Sequence, residues 1–179
     1  MKDFYADING EQYLSSNLSI TKATSTDCKT ISQLAEIIWK KHYPDIISME
    51  QIEYMLQLMY SEEALKKQMS EGQQFFLLHA NETPVGYISF TDRGNGEYFL
   101  HKFYLDHEKQ GKGLGTYFFH EMIGLLGNPK SIRLTVNRQN FKSINFYFKN
   151  GFIIEKVADF DIGNGYVMND FVMLRLQTT

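Results

Sequence analysis

Apolar residues recur along this chain at two spacings, one typical of helices and the other of strands. The helical spacing predicts one helix over Asp27–His42 and two more between Ser48 and Gly72, the second of them starting at Ser61. Runs of Phe, Tyr, Ile and Val, separated by Gly, Asn and Asp clusters, predict strands. The predicted strands are Leu18–Thr24, Phe75–His79, Pro84–Thr91, Tyr98–Leu105, Ile132–Val136, Phe152–Asp159 and Val167–Leu176, and the two remaining helices are Thr116–Leu126 and Lys142–Asn150.

The order of these elements predicts an α/β fold with one mixed sheet of about six to seven strands flanked by helices. The strand–helix–strand segment from Tyr98 to Val136 predicts a parallel pair joined by a right-handed crossover. The three strands before that crossover are joined by short turns, so they are expected to be antiparallel. With 179 residues, the chain is expected to form a single domain over residues 1–179.

The composition is that of an ordinary globular protein, with 43% apolar and 22% charged residues. A single cysteine, Cys28, excludes an intrachain disulfide and a multi-cysteine zinc site. No H-E-x-x-H pattern is present, and we therefore expect no metal.

The formal net charge of −3 and the lack of a long basic run argue against nucleic acid as a partner. The start of the chain shows no apolar signal region, and no apolar run approaches the length of a membrane span. We therefore expect a cytoplasmic protein with no membrane partner.

A glycine-rich loop, Gln110-Gly-Lys-Gly-Leu-Gly115, lies between a predicted strand and a predicted helix. Small residues let several backbone N–H groups converge, and the helix N-terminus adds positive potential, so the loop favours a phosphate or diphosphate. The spacing fits neither a Walker A loop nor the dinucleotide fingerprint. The alternative is a strand–helix turn that is rich in glycine for structural reasons.

A second segment, together with this loop, resembles the GNAT N-acetyltransferase superfamily. The first motif of that family is an apolar–Tyr–apolar strand end followed by Q/R-x-x-G-x-G/A, and the second is a strand, Asn, a small residue, an aromatic–Tyr pair and Gly-Phe. The matching residues are Phe103-Tyr104-Leu105, Gln110-x-x-Gly113-x-Gly115, Leu134-Thr-Val136, Asn140, Ser143, Phe146-Tyr147 and Gly151-Phe152. The resemblance covers Leu18 to Leu176 and departs at Ser143, where Ala is usual.

The resemblance implies a GNAT fold, in which two central parallel strands of a twisted sheet splay apart and acetyl-CoA enters the gap. Its diphosphate is then expected on the glycine loop and its pantetheine arm along the freed strand edge. Asn140 would contact the cofactor, although helix N-capping also explains an Asn there. The cofactor-binding residues implied are Phe103, Tyr104, Leu105, Gln110, Gly111, Lys112, Gly113, Leu114, Gly115, Thr116, Asn140 and Ser143.

The resemblance also implies that an amine attacks the thioester directly. Tyr147 matches the family tyrosine that protonates the departing thiolate, and its alternative role is packing beside Ile144 and Phe148. A base must take the proton of the acceptor ammonium. The closest family pattern has carboxylates at the positions of Phe99 and His101.

A histidine of pKa ~6.5 is a reasonable base near neutral pH. Strand alternation predicts that His101 shares one face with Glu97, Phe99, Phe103 and Leu105. His101 is therefore the first candidate base, and Glu97, acting through water, is the second. A packed or solvent-facing role is the alternative for His101.

The stretch from Phe160 to Met173 resembles a branch that includes bacterial polyamine acetyltransferases of the PaiA type. The acceptor is then a polyamine, another small amine or a peptide N-terminus. Trp39 and Tyr43 would border its site, and Asp161 and Asp170 would attract a second cation or else belong to a hairpin turn. A homodimer is common in the family.

Two functions from different classes follow. One is an acetyl-CoA-dependent N-acetyltransferase acting on a primary amine, and the other is a non-catalytic acyl-CoA-binding module. A proton donor at Tyr147 favours the enzyme, because a binding module has no need of one.

Overall fold

In the computed structural model of the protein, the described residues are 4–6, 12–14, 17–110, 113–127 and 129–177. The helices are α1 (Cys28–His42), α2 (Met49–Tyr60), α3 (Glu62–Ser70), α4 (Leu114–Leu125) and α5 (Phe141–Lys149). The strands are β1 (Phe4–Ala6), β2 (Gln12–Leu14), β3 (Leu18–Lys22), β4 (Gln74–Ala80), β5 (Thr83–Asp92), β6 (Glu97–Leu105), β7 (Ser131–Asn137), β8 (Phe152–Gly163) and β9 (Tyr166–Leu176).

Seven of the strands form one sheet in the order β3-β4-β5-β6-β7-β9-β8. Neighbours are antiparallel except for β6 and β7, which are parallel and joined through α4. The mixed sheet, its central parallel pair and the antiparallel run before it confirm the fold predicted from the sequence. The small β1–β2 sheet was not predicted, because three-residue strands are too short to show a periodicity.

The sheet carries a separate hydrophobic core on each face. Successive residues of a strand point to opposite faces, so Leu77 packs with the core under α1–α3 while Leu78 packs with the core under α4 and α5. Phe118 and Phe119 fill the second of these cores from α4. No helix of the described residues is both long and apolar enough to cross a bilayer.

Local sequence sets the helix ends that matter for the site. Ser48 caps α2 by accepting a hydrogen bond from the Gln51 amide, and Asn140 caps α5 in the same way from the Ser143 amide. Gly113 precedes α4 with a φ of +96°, a conformation that residues with a Cβ rarely adopt. The helix therefore starts at Leu114 with no side chain satisfying its first amides.

Candidate active site at the split between β6 and β7

A cavity of about 490 Å³ opens where the two parallel strands separate. The ladder between β6 and β7 ends at the pair Leu100 and Leu134, so β6 from His101 and β7 from Thr135 lack each other as partners. The backbone edges on the two sides of this gap are free to pair with an extended ligand. The splayed strands predicted from the resemblance are therefore present.

A β-bulge lies at the same point of β6. Ser89 of β5 pairs with Lys102, but Phe90 pairs with Leu100, so His101 is the extra residue. This insertion interrupts the alternation of side chains. Phe103 accordingly packs with the α4–α5 core.

The prediction that Glu97, Phe99, His101, Phe103 and Leu105 share one face is therefore wrong. Leu105 is buried in the α4–α5 core, as is Leu100, whereas Tyr104 packs with the core under α1–α3. The bulge switches the parity of the strand, and a sequence pattern of strict alternation cannot register an inserted residue.

The glycine loop lies at one end of the cavity. Gln110 is anchored from both sides, because its Nε2 donates to the Leu105 carbonyl at 2.8 Å and Lys142 donates to its Oε1. Beyond it, Gly113 and the free amides of the first turn of α4 meet the cavity. A helix N-terminus with unsatisfied N–H groups is a site for an anion, which fits a diphosphate.

The other residues of the glycine loop differ in their exposure to the cavity. Gly115 and Thr116 line the cavity. The side chain of Leu114 is completely buried in the α4–α5 core, which leaves its amide as the group facing the loop. Gly111 and Lys112 lie outside the described residues.

Asn140 and Ser143 line the cavity from the start of α5. Asn140 is buried, and its Oδ1 accepts from the Ser143 amide at 3.2 Å. Its capping role is therefore present, and the rest of its amide faces the cavity beside His42. Desolvation lowers the pKa of His42, and a hydrogen bond with Asn140 opposes that shift.

Tyr147 reaches the cavity from α5, and Phe146 and Phe152 pack against its ring. The residue is 8% exposed. Burial raises the pKa of its phenol well above the ordinary value, so the hydroxyl keeps its proton at neutral pH. Tyr147 can therefore donate a hydrogen bond or a proton into the gap.

Another part of the cavity lining is an aromatic wall, formed by Trp39, Tyr43, Tyr60 and Tyr104. The Trp39 ring centroid lies 4.4 Å from that of Tyr43 and 5.3 Å from that of Tyr60. The hydroxyls of Tyr43 and Tyr104 are 3.3 Å apart. Burial is the first cause that raises the pKa of each of the three phenols, so this wall is uncharged.

Trp39 and Tyr43 were expected at the acceptor site, whereas Tyr60 was expected only as part of the run Met49–Tyr60, interpreted as core and cleft wall. Its place at the end of α2 gave no motif to find it.

The two candidate bases occupy different places. His101 lines the cavity, is exposed as a residue, and hydrogen-bonds Thr91 Oγ1 through Nε2 at 2.8 Å. Its ring packs on Phe99, and this desolvation, with the charges of Lys102 and Arg93, lowers the pKa of His101 to about 4.

Glu97 is exposed at the start of β6, before the strands separate, and is not among the residues lining the cavity. Its carboxylate lies 3.9 Å from the guanidinium of Arg133. An exposed ion pair before the split places this carboxylate away from the gap.

Lys102 lines the cavity and is a residue that sequence reasoning missed. It is 7% exposed, and its Nζ lies 4.9 Å from the ring centroid of Tyr60. Burial lowers the pKa of Lys102 to about 8. The available signal was a lysine within the otherwise aromatic and apolar end of β6.

The two carboxylates of the C-terminal hairpin, Asp161 and Asp170, lie in different environments. Asp170 is buried and lines the cavity from β9, and burial raises its pKa to about 6 while a hydrogen bond with Thr135 opposes the shift. Asp161 is exposed, and its Oδ1 accepts from the Gly163 amide in the β8–β9 turn. The structure therefore puts Asp170 in the cavity and Asp161 in the turn.

Comparisons with known proteins agree with this geometry. A family model described as an acetyltransferase (GNAT) domain matches residues 45–163. A spermidine N(1)-acetyltransferase from Thermoplasma acidophilum is 31% identical over 159 residues, which are 85% of this chain and 96% of that protein.

Solved structures share the fold of this chain. The crystal structure of PaiA N-acetyltransferase from T. acidophilum in complex with coenzyme A matches with a TM-score of 0.72 and 30% identity, over 89% of this chain and 98% of that one. A GCN5-related N-acetyltransferase from Rhodopseudomonas palustris is 16% identical and shares the fold, with a TM-score of 0.74 over 88% of this chain and 94% of that one.

Proposed function

This chain belongs to the acetyltransferase (GNAT) family and is an acetyl-CoA-dependent N-acetyltransferase, and we propose that its acceptor is a polyamine such as spermidine. The observation that carries the proposal is a single cavity that joins the glycine loop to an aromatic wall and a buried carboxylate. The similarity to a spermidine N(1)-acetyltransferase supports the same acceptor.

The residues present fit acetyl-CoA. The free amides before and within the first turn of α4 suit the diphosphate, and the unpaired edge of β6 from His101 to Leu105 suits the amide groups of the pantetheine arm. Asn140 and Ser143 border the same side of the gap. When bound, the thioester supplies the electrophilic carbonyl and a thiolate leaving group.

Tyr147 is placed to act on that leaving group. Its phenol stays protonated in the buried site, and the conjugate acid of a thiolate has a pKa of ~8.5. A hydrogen bond or proton from Tyr147 would therefore stabilise the departing sulfur. Its burial among Phe146 and Phe152 fixes the hydroxyl while the reaction proceeds.

The acceptor side suits an alkylamine with more than one charge. Aromatic faces attract ammonium groups within about 6 Å of the ring centroid. Asp170, with a pKa of about 6, is largely ionised at neutral pH and can pair with a second ammonium. A polyamine meets both features with one chain of methylenes between them.

A thiol-release assay across an amine panel tests this acceptor. We expect kcat/KM for spermidine to exceed that for a simple monoamine by at least tenfold, because the monoamine cannot also reach Asp170. Release of thiol with peptide N-termini or amino sugars but not with polyamines would reject the acceptor and leave the enzyme class intact. Binding of CoA with no thiol release from any amine would favour the alternative binding module.

A homodimer and a cytoplasmic location remain predictions. The outer strand β8 exposes apolar side chains, including Ile153 and Val157, which support contact with a second copy. Light scattering after size exclusion would show whether the chain runs as a dimer.

A further inference from the structure

Lys102 is a buried ammonium without a counter-charge. Only 7% of the residue is exposed, and its Nζ lies over the rings of Tyr60 and Phe75, at 4.9 and 5.6 Å from their centroids. Among the residues that the structure describes, no carboxylate and no hydrogen-bond acceptor pairs with it, and burial alone lowers its pKa. A buried charge costs stability unless it is paired or used.

Its position on β6 directs it to the reaction. Lys102 follows the bulge residue His101, immediately after the last pair of the β6–β7 ladder at Leu100. Its side chain lies on the face of the aromatic wall, and the residue lines the same cavity as Tyr147. The Tyr60 ring that Nζ faces also lines the cavity, so an amine bound against the aromatic wall would lie near this ammonium.

His101, Asp170 and His42, which also line the cavity, are poorer bases for an alkylamine of pKa ~10.4. Proton transfer to His101, with its pKa of about 4, spans about six pKa units, and transfer to Asp170, at about 6, spans about four. Desolvation lowers the pKa of His42 as well. Lys102, at about 8, leaves a gap of about two units, within the range to which enzymes tune a lysine base.

We propose that Lys102 is the general base that takes the proton from the acceptor ammonium before the amine attacks the thioester. The inference rests on the N-acetyltransferase activity and holds for whichever amine the enzyme accepts. It assigns to Lys102 the role that was predicted for His101 or Glu97.

The protons of the proposed reaction balance. The acceptor ammonium gives one proton to the neutral amine of Lys102, which later returns it to solvent through the cavity. The C–N bond then forms and the C–S bond breaks. Tyr147 protonates the thiolate, and the second proton lost by the acceptor nitrogen restores the phenol. Acetyl-CoA and an ammonium thus give an amide, CoA thiol and one proton.

The groups packed around Lys102 leave its titration uncomplicated. Tyr60 on α2 packs against its Nζ, and Tyr43 at the end of α1, Tyr87 on β5 and Tyr104 on β6 belong to the same aromatic cluster as Tyr60; burial raises the pKa of each phenol, so all four are neutral. The neighbour of Lys102 from β4 is the apolar ring of Phe75. The adjacent imidazole of His101, whose pKa is about 4, is also neutral at pH 7.

The experiment is a pH profile of kcat/KM between pH 6 and 10, measured with the amine that the enzyme uses best. For the wild type we expect a tenfold rise per pH unit that levels off near pH 8, where Lys102 loses its proton. Lys102→Met keeps the stem that packs on Tyr60 but has no base. We expect its kcat/KM to be about 100-fold lower at pH 7 and within about threefold of wild type at pH 10, where roughly a quarter of the acceptor has already lost its proton without a base.

Two further variants separate a base from other roles. Lys102→Arg keeps a positive charge that does not titrate in this range, so it should lose activity as the Met variant does. Lys22→Met, on the exposed outer strand β3, should match wild type throughout. Thermal protection of each variant by CoA shows that it is folded and binds cofactor.

Three results would overturn the proposal. They are a wild-type profile with no inflection between pH 7 and 9, an equal loss for Lys102→Met at every pH, and wild-type activity in Lys102→Arg. The first needs no variant, so the test survives a misfolded mutant. A profile whose inflection disappears in His101→Ala instead would assign the proton to the imidazole.

Discussion

The two faces of the split sheet recognise their ligands by different means. On the α4–α5 face the cavity meets the uncapped start of α4 after Gly113 and the free edge of β6, above a core of phenylalanines. On the α1–α3 face the cavity is lined by side chains with hydroxyl, ammonium and aromatic groups. One face therefore offers a ligand main-chain groups, and the other offers it side-chain groups.

This difference divides the work of the enzyme. The proposed diphosphate site consists of backbone donors that do not depend on the acceptor, so the α4–α5 face should govern the affinity for acetyl-CoA. The proposed acceptor side holds the tyrosines, Lys102 and Asp170, so the α1–α3 face and β9 should govern amine choice and its pH dependence. Substitutions that separate the two affinities test this division.

The largest effect is expected where the two faces meet, at Tyr147. In Tyr147→Phe the leaving thiolate loses its proton donor, so kcat should fall about 100-fold, the low end of general-acid contributions. The ring still packs on Phe152, and KM for acetyl-CoA should therefore stay within about threefold. Steady-state kinetics in both substrates measure this.

Tyr166→Phe is the matched control, since Tyr166 packs on Tyr54 in the C-terminal hairpin and does not line the cavity. Wild-type turnover in Tyr147→Phe would remove the acid role. A rise in KM for acetyl-CoA that accounts for the whole loss would make Tyr147 a binding residue.

A smaller effect, confined to the cofactor, is expected at Gly113. Its φ of +96° would strain any residue with a Cβ by about 1–2 kcal/mol. Gly113→Ala should therefore displace the first amides of α4 and raise KM for acetyl-CoA roughly tenfold, with KM for the amine unchanged.

Gly124→Ala provides the control in the same helix. A Cβ at Gly124 meets nothing within 4 Å, and alanine in a helix is favoured over glycine by about 0.5–1 kcal/mol. That variant should melt at a higher temperature and keep wild-type kinetics. Equal kinetics in both variants would show that the loop does not hold the diphosphate.

The smallest effect is expected at Asp170 and concerns the acceptor alone. Asp170→Asn removes a charge that would pair with a second ammonium, so KM for spermidine should rise about threefold to tenfold while that for a monoamine stays constant. Asp161→Asn, in the exposed turn, should change neither value. An equal rise for both amines would mean that Asp170 supports the cavity and does not select polyamines.

The same variant has a signature in stability. The pKa of Asp170 is about 6 when folded, against ~3.9 for an unfolded aspartate, so between these values the folded protein binds the extra proton. Its stability therefore falls as the pH rises from 4 to 6. Melting curves should show Asp170→Asn gaining on wild type across that range.

The sequence predicted the α4–α5 face far better than the other. The glycine loop and Asn140 match motifs, because backbone and capping geometry demand particular residues at fixed spacing. The strand order and the parallel crossover followed from the same local signals. Tyr60 and Lys102 depend on how α2 and β6 meet in space, and no spacing in the chain records that contact.

The bulge at His101 shows the limit of alternation as a guide. Because of one extra residue, Phe103 and Leu105 lie on the α4–α5 face. They are therefore not the neighbours that strand alternation predicted for His101. Glu97 lies before the bulge, at the start of the paired part of β6. Its carboxylate is therefore too far along the strand from the split to serve as the base.

The free edge of β6 has a consequence for how this enzyme can change over time. Peptide groups are common to all residues, so a strand that binds through them tolerates turnover of its side chains. Related enzymes can thus keep acetyl-CoA as the donor while substitutions in the aromatic wall change which amine is accepted. The free edge of β6 is therefore the part of the site that depends least on which side chains the chain carries.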